Sequence, residues 1–131
     1  MIKLILLDID GVLTNGKVTV DSNGNESKTI DFRDIDAVFE MKRRNLQVGL
    51  VTGEATPITL FFRERFKPDF FYNGCKDKPA ALAEMIEQTS LTKEEVCYVG
   101  DAKYDIPIMK LVGISACPTN AIPEVKELAD I

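Results

Sequence analysis

Five short apolar runs, separated by stretches with helical spacing, constrain this chain more than any other feature. "LILL" (Leu4 to Leu7), "VGLVT" (Val48 to Thr52), "FFY" (Phe70 to Tyr72), "VCYVG" (Val96 to Gly100) and "GISAC" (Gly113 to Cys117) are each ended by Asp, Gly or Pro. Runs of that length without polar alternation suit strands buried on both faces. Between and after them, Ile35 to Arg44, Pro57 to Phe66, Pro79 to Thr89, Ile106 to Leu111 and Pro123 to Ala129 have helical spacing, and Thr56 before Pro57 reads as a cap. Strands alternating with helices predict right-handed crossovers and an α/β fold: a single doubly wound, Rossmann-like parallel sheet with helices on both faces. The interruption is "KVTVDSNGNESKTI", where two alternating segments flank Asp21-Ser-Asn-Gly-Asn; it predicts a β-hairpin over about 17–30, inserted after the first strand.

The 131 residues, 45% of them hydrophobic, suit one domain over 1–131. A net charge of −5 and a pI near 4.8 argue against nucleic acid and anionic membrane as partners, and leave small molecules and metal ions. The N-terminus lacks a signal-peptide pattern and no apolar run nears the roughly 20 residues of a membrane span, so the expected location is cytoplasmic. Cys75, Cys97 and Cys117 lie far apart and read as free thiols, with Cys97 and Cys117 in the core and Cys75 in an oxidisable loop position. The absence of histidine removes Ser-His and Cys-His chemistry. Carboxylates, lysine, hydroxyls and metal remain.

In an open α/β sheet the ligand site lies outside the carboxyl ends of the strands. Asp8 and Asp10 fall at that end of the first strand, Thr52 and Gly53 at that of the second, Lys78 opens the helix after the third, and "GDAKYD" places Asp101 and Asp105 just past the fourth. Each has an ordinary reading as a turn, a cap or a surface charge. Together they gather at one edge. Converging carboxylates repel unless a cation sits among them, and oxygen ligands without His or Cys select a hard ion, Mg²⁺. A Thr hydroxyl, backbone amides and a lysine facing that ion form a receptor for a phosphoryl group, with one carboxylate to attack phosphorus and its neighbour to handle the proton.

"DIDGVLTNG", "VTGE", "KDK" and "GDAKYD", in this order, resemble the four motifs of the haloacid dehalogenase superfamily of phosphohydrolases. "DGVLTNG" with a hairpin, "FRD" and "VTGE" and no cap domain is similar to the capless phosphatases of 3-deoxy-sugar-acid phosphates, acting on 3-deoxy-manno-octulosonate 8-phosphate or the nononate 9-phosphate. The resemblance implies a Mg²⁺-dependent phosphomonoesterase working through an aspartyl-phosphate. Asp8 would be the nucleophile and a metal ligand. Asp10 would be the general acid and then base, with its main-chain carbonyl on the metal. Thr52 with a nearby amide such as that of Gly53 would bind phosphoryl oxygens, Lys78 would neutralise them, and Asp101 would complete the metal site. Asp105 would orient a metal-bound water or Lys78. Relatives often carry an aspartate where this chain has Ala102, and often extend in a glycine-rich tail where this sequence ends at Ile131. Glu54, paired with Arg65 across the following helix, would line the entrance and favour the nononate substrate; a helix-start glutamate favoured by the dipole is the equal alternative. Arg33 would reach a substrate carboxylate or pair with Asp31 or Asp34. Asn73, Gly74 and Lys76 would form a loop beside Lys78 that touches substrate, with ordinary turn chemistry the equal alternative. A lone hairpin is marginal in water and leaves Val18, Val20 and Ile30 needing cover; packing on its own domain would supply it, whereas the resemblance implies subunits joined through such hairpins into a homotetramer. Two other readings stay open: a non-catalytic assembly or regulatory domain of the same fold, and a phosphatase for another small phosphorylated metabolite.

Overall fold

A computed structural model describes residues 1–131. Its central sheet has five parallel strands, β1 (Leu4–Leu7), β4 (Gln47–Val51), β5 (Phe70–Tyr72), β6 (Val96–Val99) and β7 (Ile114–Ala116), in the order β5-β4-β1-β6-β7. Strand β1 is central because both its faces are apolar. Leu4 and Leu6 pack with Leu82, Met85, Ile108 and Val125 on one side, while Leu7, with Ile5 packed beside it, joins Val38, Phe62 and Phe66 on the other. The first layer belongs to α3 (Lys78–Thr89), α4 (Ile106–Met109) and α5 (Pro123–Leu128), the second to α1 (Phe32–Arg43) and α2 (Pro57–Phe66). The doubly wound α/β sheet is thus as expected.

The helix starts follow their caps. Asp31 accepts from the Arg33 amide, Thr56 and Thr59 form a reciprocal box ahead of Pro57, and Asp77 accepts from the Ala80 amide. Helix α1 therefore begins at Phe32 and not at Ile35: its first turn is exposed, with Phe32 facing outward, so the apolar spacing becomes visible only at Ile35. Helix α3 likewise begins at Lys78, one residue before Pro79, because Asp77 is the cap.

The hairpin forms between β2 (Thr19–Val20) and β3 (Glu26–Ser27), paired Thr19 to Ser27 and Val20 to Glu26. Its turn is closed by the Asp21 carboxylate, which accepts from the Asn23 and Asn25 amides at 2.9 Å. The strands are shorter than the alternating segments suggest. Val18 and Val20 stay about half exposed, while Ile30 packs against the α1–α2 side of the core. No cap domain stands over the carboxyl edge of the sheet; the longest excursion there is the segment 8–31 that carries the hairpin.

The chain runs from β1 outward to β4 and β5, then crosses back to β6 and β7 on the other side of β1. That reversal opens a crevice at the carboxyl end of β1, where Asp8 emerges. At the opposite edge, the entry to β7 is pressed onto the short helical turn before β6: the Gly113 amide donates to Lys93 and Val96 carbonyls, and a Cβ there would lie 2.2 Å from the Glu94 carbonyl oxygen. Gly113→Ala is expected to lower stability by about 1–3 kcal/mol, read as a lower urea midpoint; an unchanged midpoint would mean that this backbone contact relaxes freely.

Candidate active site

Every expected site residue, Asp8, Asp10, Thr52, Gly53, Glu54, Lys78, Asp101 and Asp105, lines one cleft of about 580 Å³ at the carboxyl edge of the sheet. The organising group is the Lys78 ammonium. Lys78 is the first residue of α3 and is buried, and its Nζ lies 2.6 Å from Asp105 Oδ1, 3.2 Å from Asp8 Oδ2 and 3.1 Å from the Tyr98 hydroxyl. Tyr98 donates to the same Asp105 oxygen at 2.6 Å. The other Asp105 oxygen accepts from the Asp101 and Ala102 amides, at 2.9 and 3.1 Å. One carboxylate thereby holds both the lysine and the backbone that carries Asp101.

Asp8 is steered by its own strand end: Oδ1 accepts from the Ile9 amide at 2.7 Å, which leaves Oδ2 toward Lys78. The loop after it tightens on Thr14, whose hydroxyl oxygen accepts from the Gly11 and Gly16 amides. Gly11 has φ +84°, and a Cβ on it would fall 1.7 Å from Asp101 Oδ2, so only glycine lets the first loop pass this close to Asp101. Thr52 is buried, and its hydroxyl oxygen accepts from the Glu54 amide at 3.2 Å, which leaves the hydroxyl proton free to donate into the cleft.

Oxygens of Asp8, Asp101 and Asp105 lie within 4.8 Å of one another. This crowding shows in their acidity. Burial, and then the Asp105 charge, push Asp8 up to about 7 against the pull of Lys78. Burial and Asp105 push Asp101 up to about 6. Burial also opposes ionisation of Asp105, but the Lys78 charge and the hydrogen bonds it receives outweigh that and hold it below its usual range. Asp101 Oδ1 is buried with no hydrogen-bond partner. An orphaned carboxylate oxygen in an all-oxygen cluster fits a hard divalent cation.

The remaining side chains divide between the cluster and partners outside it. The Asp10 carboxylate is not among the clustered acids; it pairs with Lys28 of the hairpin at 2.8 and 3.0 Å. Asp105, expected to orient a metal-bound water or Lys78, holds Lys78 and also belongs to the cluster, because the short turn Lys103–Asp105 folds it back under Gly100. Glu54 lines the cleft but forms no ion pair with Arg65, whose guanidinium sits over the Phe32 ring instead. Arg33 binds Asp31 at 2.7 Å on the surface. Of the loop 73–76, Lys76 and Cys75 line the cleft while Asn73 and Gly74 do not. Burial pushes the Cys75 thiol up, which disfavours the thiolate that oxidation needs. Cys97 and Cys117 are partly buried, with Cys117 packed against the core at its edge. Sequence reasoning missed Tyr98 and Lys28. The first carried a usable signal, since a phenol amid a buried strand requires a polar partner.

The family model for haloacid dehalogenase-like hydrolases matches residues 61–131. The 3-deoxy-D-manno-octulosonate 8-phosphate phosphatase KdsC of Salmonella typhi is 31% identical over 129 residues, which cover 98% of this chain and 69% of that protein. The 3-deoxy-D-manno-octulosonate 8-phosphate phosphatase from Yersinia pestis superposes with a TM-score of 0.93 at 27% identity, over 98% of this chain and 70% of that one. The cobalt-bound deoxy-D-mannose-octulosonate 8-phosphate phosphatase of Haemophilus influenzae does so with a TM-score of 0.91 at 29% identity, over 98% and 75%.

The raised carboxyls make stability depend on pH in a defined sense. In the unfolded chain these groups titrate near 3.8, whereas in the fold Asp8 and Asp101 do so at about 7 and about 6. Between those limits the folded state holds protons that the unfolded state has lost, so stability rises as pH falls. Asp105 acts in the opposite sense, but only below the ordinary carboxylate range. Chelator-treated protein is expected to melt roughly 5 °C or more higher at pH 5.5 than at pH 8, and Mg²⁺ is expected to remove most of that difference. A melting temperature in chelator that is flat or rises over that range would count against the repelling cluster.

Proposed function

Because the chain belongs to the haloacid dehalogenase-like hydrolases and is a phosphoric monoester hydrolase of that family, we propose that residues 1–131 form one capless domain hydrolysing a small 3-deoxy-sugar-acid phosphate. The observation that carries this reading is the buried Lys78 held between Asp8 and Asp105, with Thr52 on the wall of the same cleft: one nucleophile, one cation and one hydroxyl donor lining one site. The relatives that act on 3-deoxy-manno-octulosonate 8-phosphate support that substrate first, and the nononate 9-phosphate is the second candidate through Glu54 at the cleft wall. A cleft of about 580 Å³ suits a sugar phosphate. Lys76 supports the acid part of the substrate. Its Nζ donates to the Gly53 carbonyl at 2.9 Å and pairs with no carboxylate, so it can meet one on the ligand.

In the proposed reaction Asp8 attacks phosphorus while Asp10 gives a proton to the departing alkoxide, which leaves a phosphoryl group on the Asp8 oxygen. Asp10, now a carboxylate, takes a proton from water as that water attacks phosphorus; inorganic phosphate leaves and both aspartates return to their starting states. Thr52 and the loop amide at Gly53 hold the phosphoryl oxygens, and Lys78 balances their charge. Asp8, Asp101 and the Asp10 main-chain carbonyl would hold Mg²⁺, which when bound neutralises the clustered carboxylates and the phosphoryl oxygens. Asp105 orients Lys78. Ala102, where relatives often have a further aspartate, leaves this set complete.

Assembly and location follow the same reading. The half-exposed Val18 and Val20 on a two-residue-per-strand hairpin support packing against other copies in a homotetramer. No helix is long and apolar enough to cross a membrane, and a phosphorylated small-molecule substrate fits a cytoplasmic enzyme.

Phosphate release from both sugar-acid phosphates and from 4-nitrophenyl phosphate tests the chemistry. Turnover of a sugar-acid phosphate is expected with Mg²⁺, is expected to vanish in chelator, and in Asp8→Asn is expected to fall below about a thousandth of wild type. Aryl phosphate turnover alone would keep the mechanism and discard the substrate; no turnover by folded, Mg²⁺-loaded protein would discard both. Light scattering at micromolar concentration is expected to give four times the 14.6 kDa chain mass, and a monomer would refute the tetramer.

A further inference from the structure

Lys28 poses a question that the hairpin alone does not answer. The residues just before it are exposed, yet its side chain is only 8% exposed. Burying an ammonium costs free energy unless an anion receives it. The anion is Asp10, 18 residues earlier, contacted through both oxygens at 2.8 and 3.0 Å. Two contacts from one point restrict the carboxylate's rotation as well as its position. The other side-chain partner of Asp10 is the Thr14 hydroxyl at 3.5 Å, too long to hold it. Asp10 lines the cleft whereas Lys28 does not, so Lys28 bears on the site through the carboxylate it holds.

We propose that Lys28 is a positioning residue for hydrolysis, its ammonium bracing the Asp10 side chain so that the carboxyl group meets the leaving oxygen and then the attacking water. This rests on the reading of Asp10 as the proton-transfer group. Lys28 does not touch substrate. It follows directly after β3, so the place of the hairpin on the domain is transmitted to the acid through one side chain.

The test exploits leaving-group chemistry. An alkoxide needs a proton to depart and a nitrophenolate does not, so a fault in Asp10 lowers kcat/KM for alkyl phosphates more than for aryl phosphates. The probes are 4-nitrophenyl phosphate and 3-deoxy-manno-octulosonate 8-phosphate, with glycerol 1-phosphate in its place if the sugar is not turned over. The variants are Asp10→Asn, Lys28→Met, Lys28→Arg and the double variant Asp10→Asn with Lys28→Met, all assayed with Mg²⁺. Asp10→Asn is expected to raise the aryl-to-alkyl ratio of kcat/KM about a hundredfold and Lys28→Met about tenfold, while Lys28→Arg, whose fork matches a carboxylate, returns it to within about threefold of wild type. On the Asp10→Asn background, the Lys28 change is expected to add nothing. Should Lys28→Met fail to fold, Lys28→Gln gives the same readout. A ratio raised by Asp10→Asn but unmoved at Lys28, or losses that multiply in the double variant, would overturn the positioning role; a ratio unmoved by Asp10→Asn would overturn the Asp10 reading itself.

Discussion

The site depends on one buried cation. Lys78 is held by Asp105, Asp8 and Tyr98, and each of those is delivered by a different part of the fold: Asp8 by the end of β1, Tyr98 by β6, and Asp105 by the turn that follows it. Without the ammonium, two clustered carboxylates and a phenol would face one another in a partly dehydrated crevice, at a cost of several kcal/mol. With it, Asp105 stays ionised while Asp8 and Asp101 remain the acids that most favour a further positive charge. The division is useful. One carboxylate is committed to structure, and of the other two Asp101 keeps an oxygen without a partner.

The sheet makes this gathering possible. Parallel strands all point their carboxyl ends one way, and the reversal of strand order about β1 keeps the loops on either side of it from closing the crevice. The two apolar layers, built on Leu4 and Leu6 on one face and Leu7 on the other, hold those ends in register. Chemistry sits on loops and precision comes from the strands beneath them.

Much of this arrangement is legible in the residues themselves. Runs such as "LILL" and "FFY" announce buried strands because nothing polar interrupts them; Asp8, Thr52 and Asp101 stand at or just past the end of such a run, and Lys78 opens the helix that follows one, where a connecting loop leaves little freedom. What lies farther along the chain is less legible. Lys28 reaches Asp10 through a long flexible stem on a hairpin whose docking is tertiary, so no spacing reveals it. Tyr98 hides among core residues because a phenol and a phenyl look alike in a hydrophobic pattern. Arg65 turns to the exposed Phe32 ring and away from Glu54 because a guanidinium on a helix surface has several partners of similar worth. The first turn of α1 escapes notice because its outward residues follow the cap at Asp31 and not the core.

The close passage of Gly11 beside Asp101 carries a consequence for how this sequence can change over generations. The volume that a methyl group would take at position 11 is already filled by the carboxylate of a residue 90 positions later, and the backbone at Gly11 is in the left-handed region as well. The two positions are therefore epistatic, and the order in which they change matters. If Asp101 were first shortened, the clash at position 11 would ease while the unfavourable φ remained. A side chain arriving first at position 11 meets both barriers at once. Divergence at position 11 is thus expected to follow change at position 101 more readily than to precede it, since a lineage that keeps Asp101 in place must displace its carboxylate as well as strain the backbone.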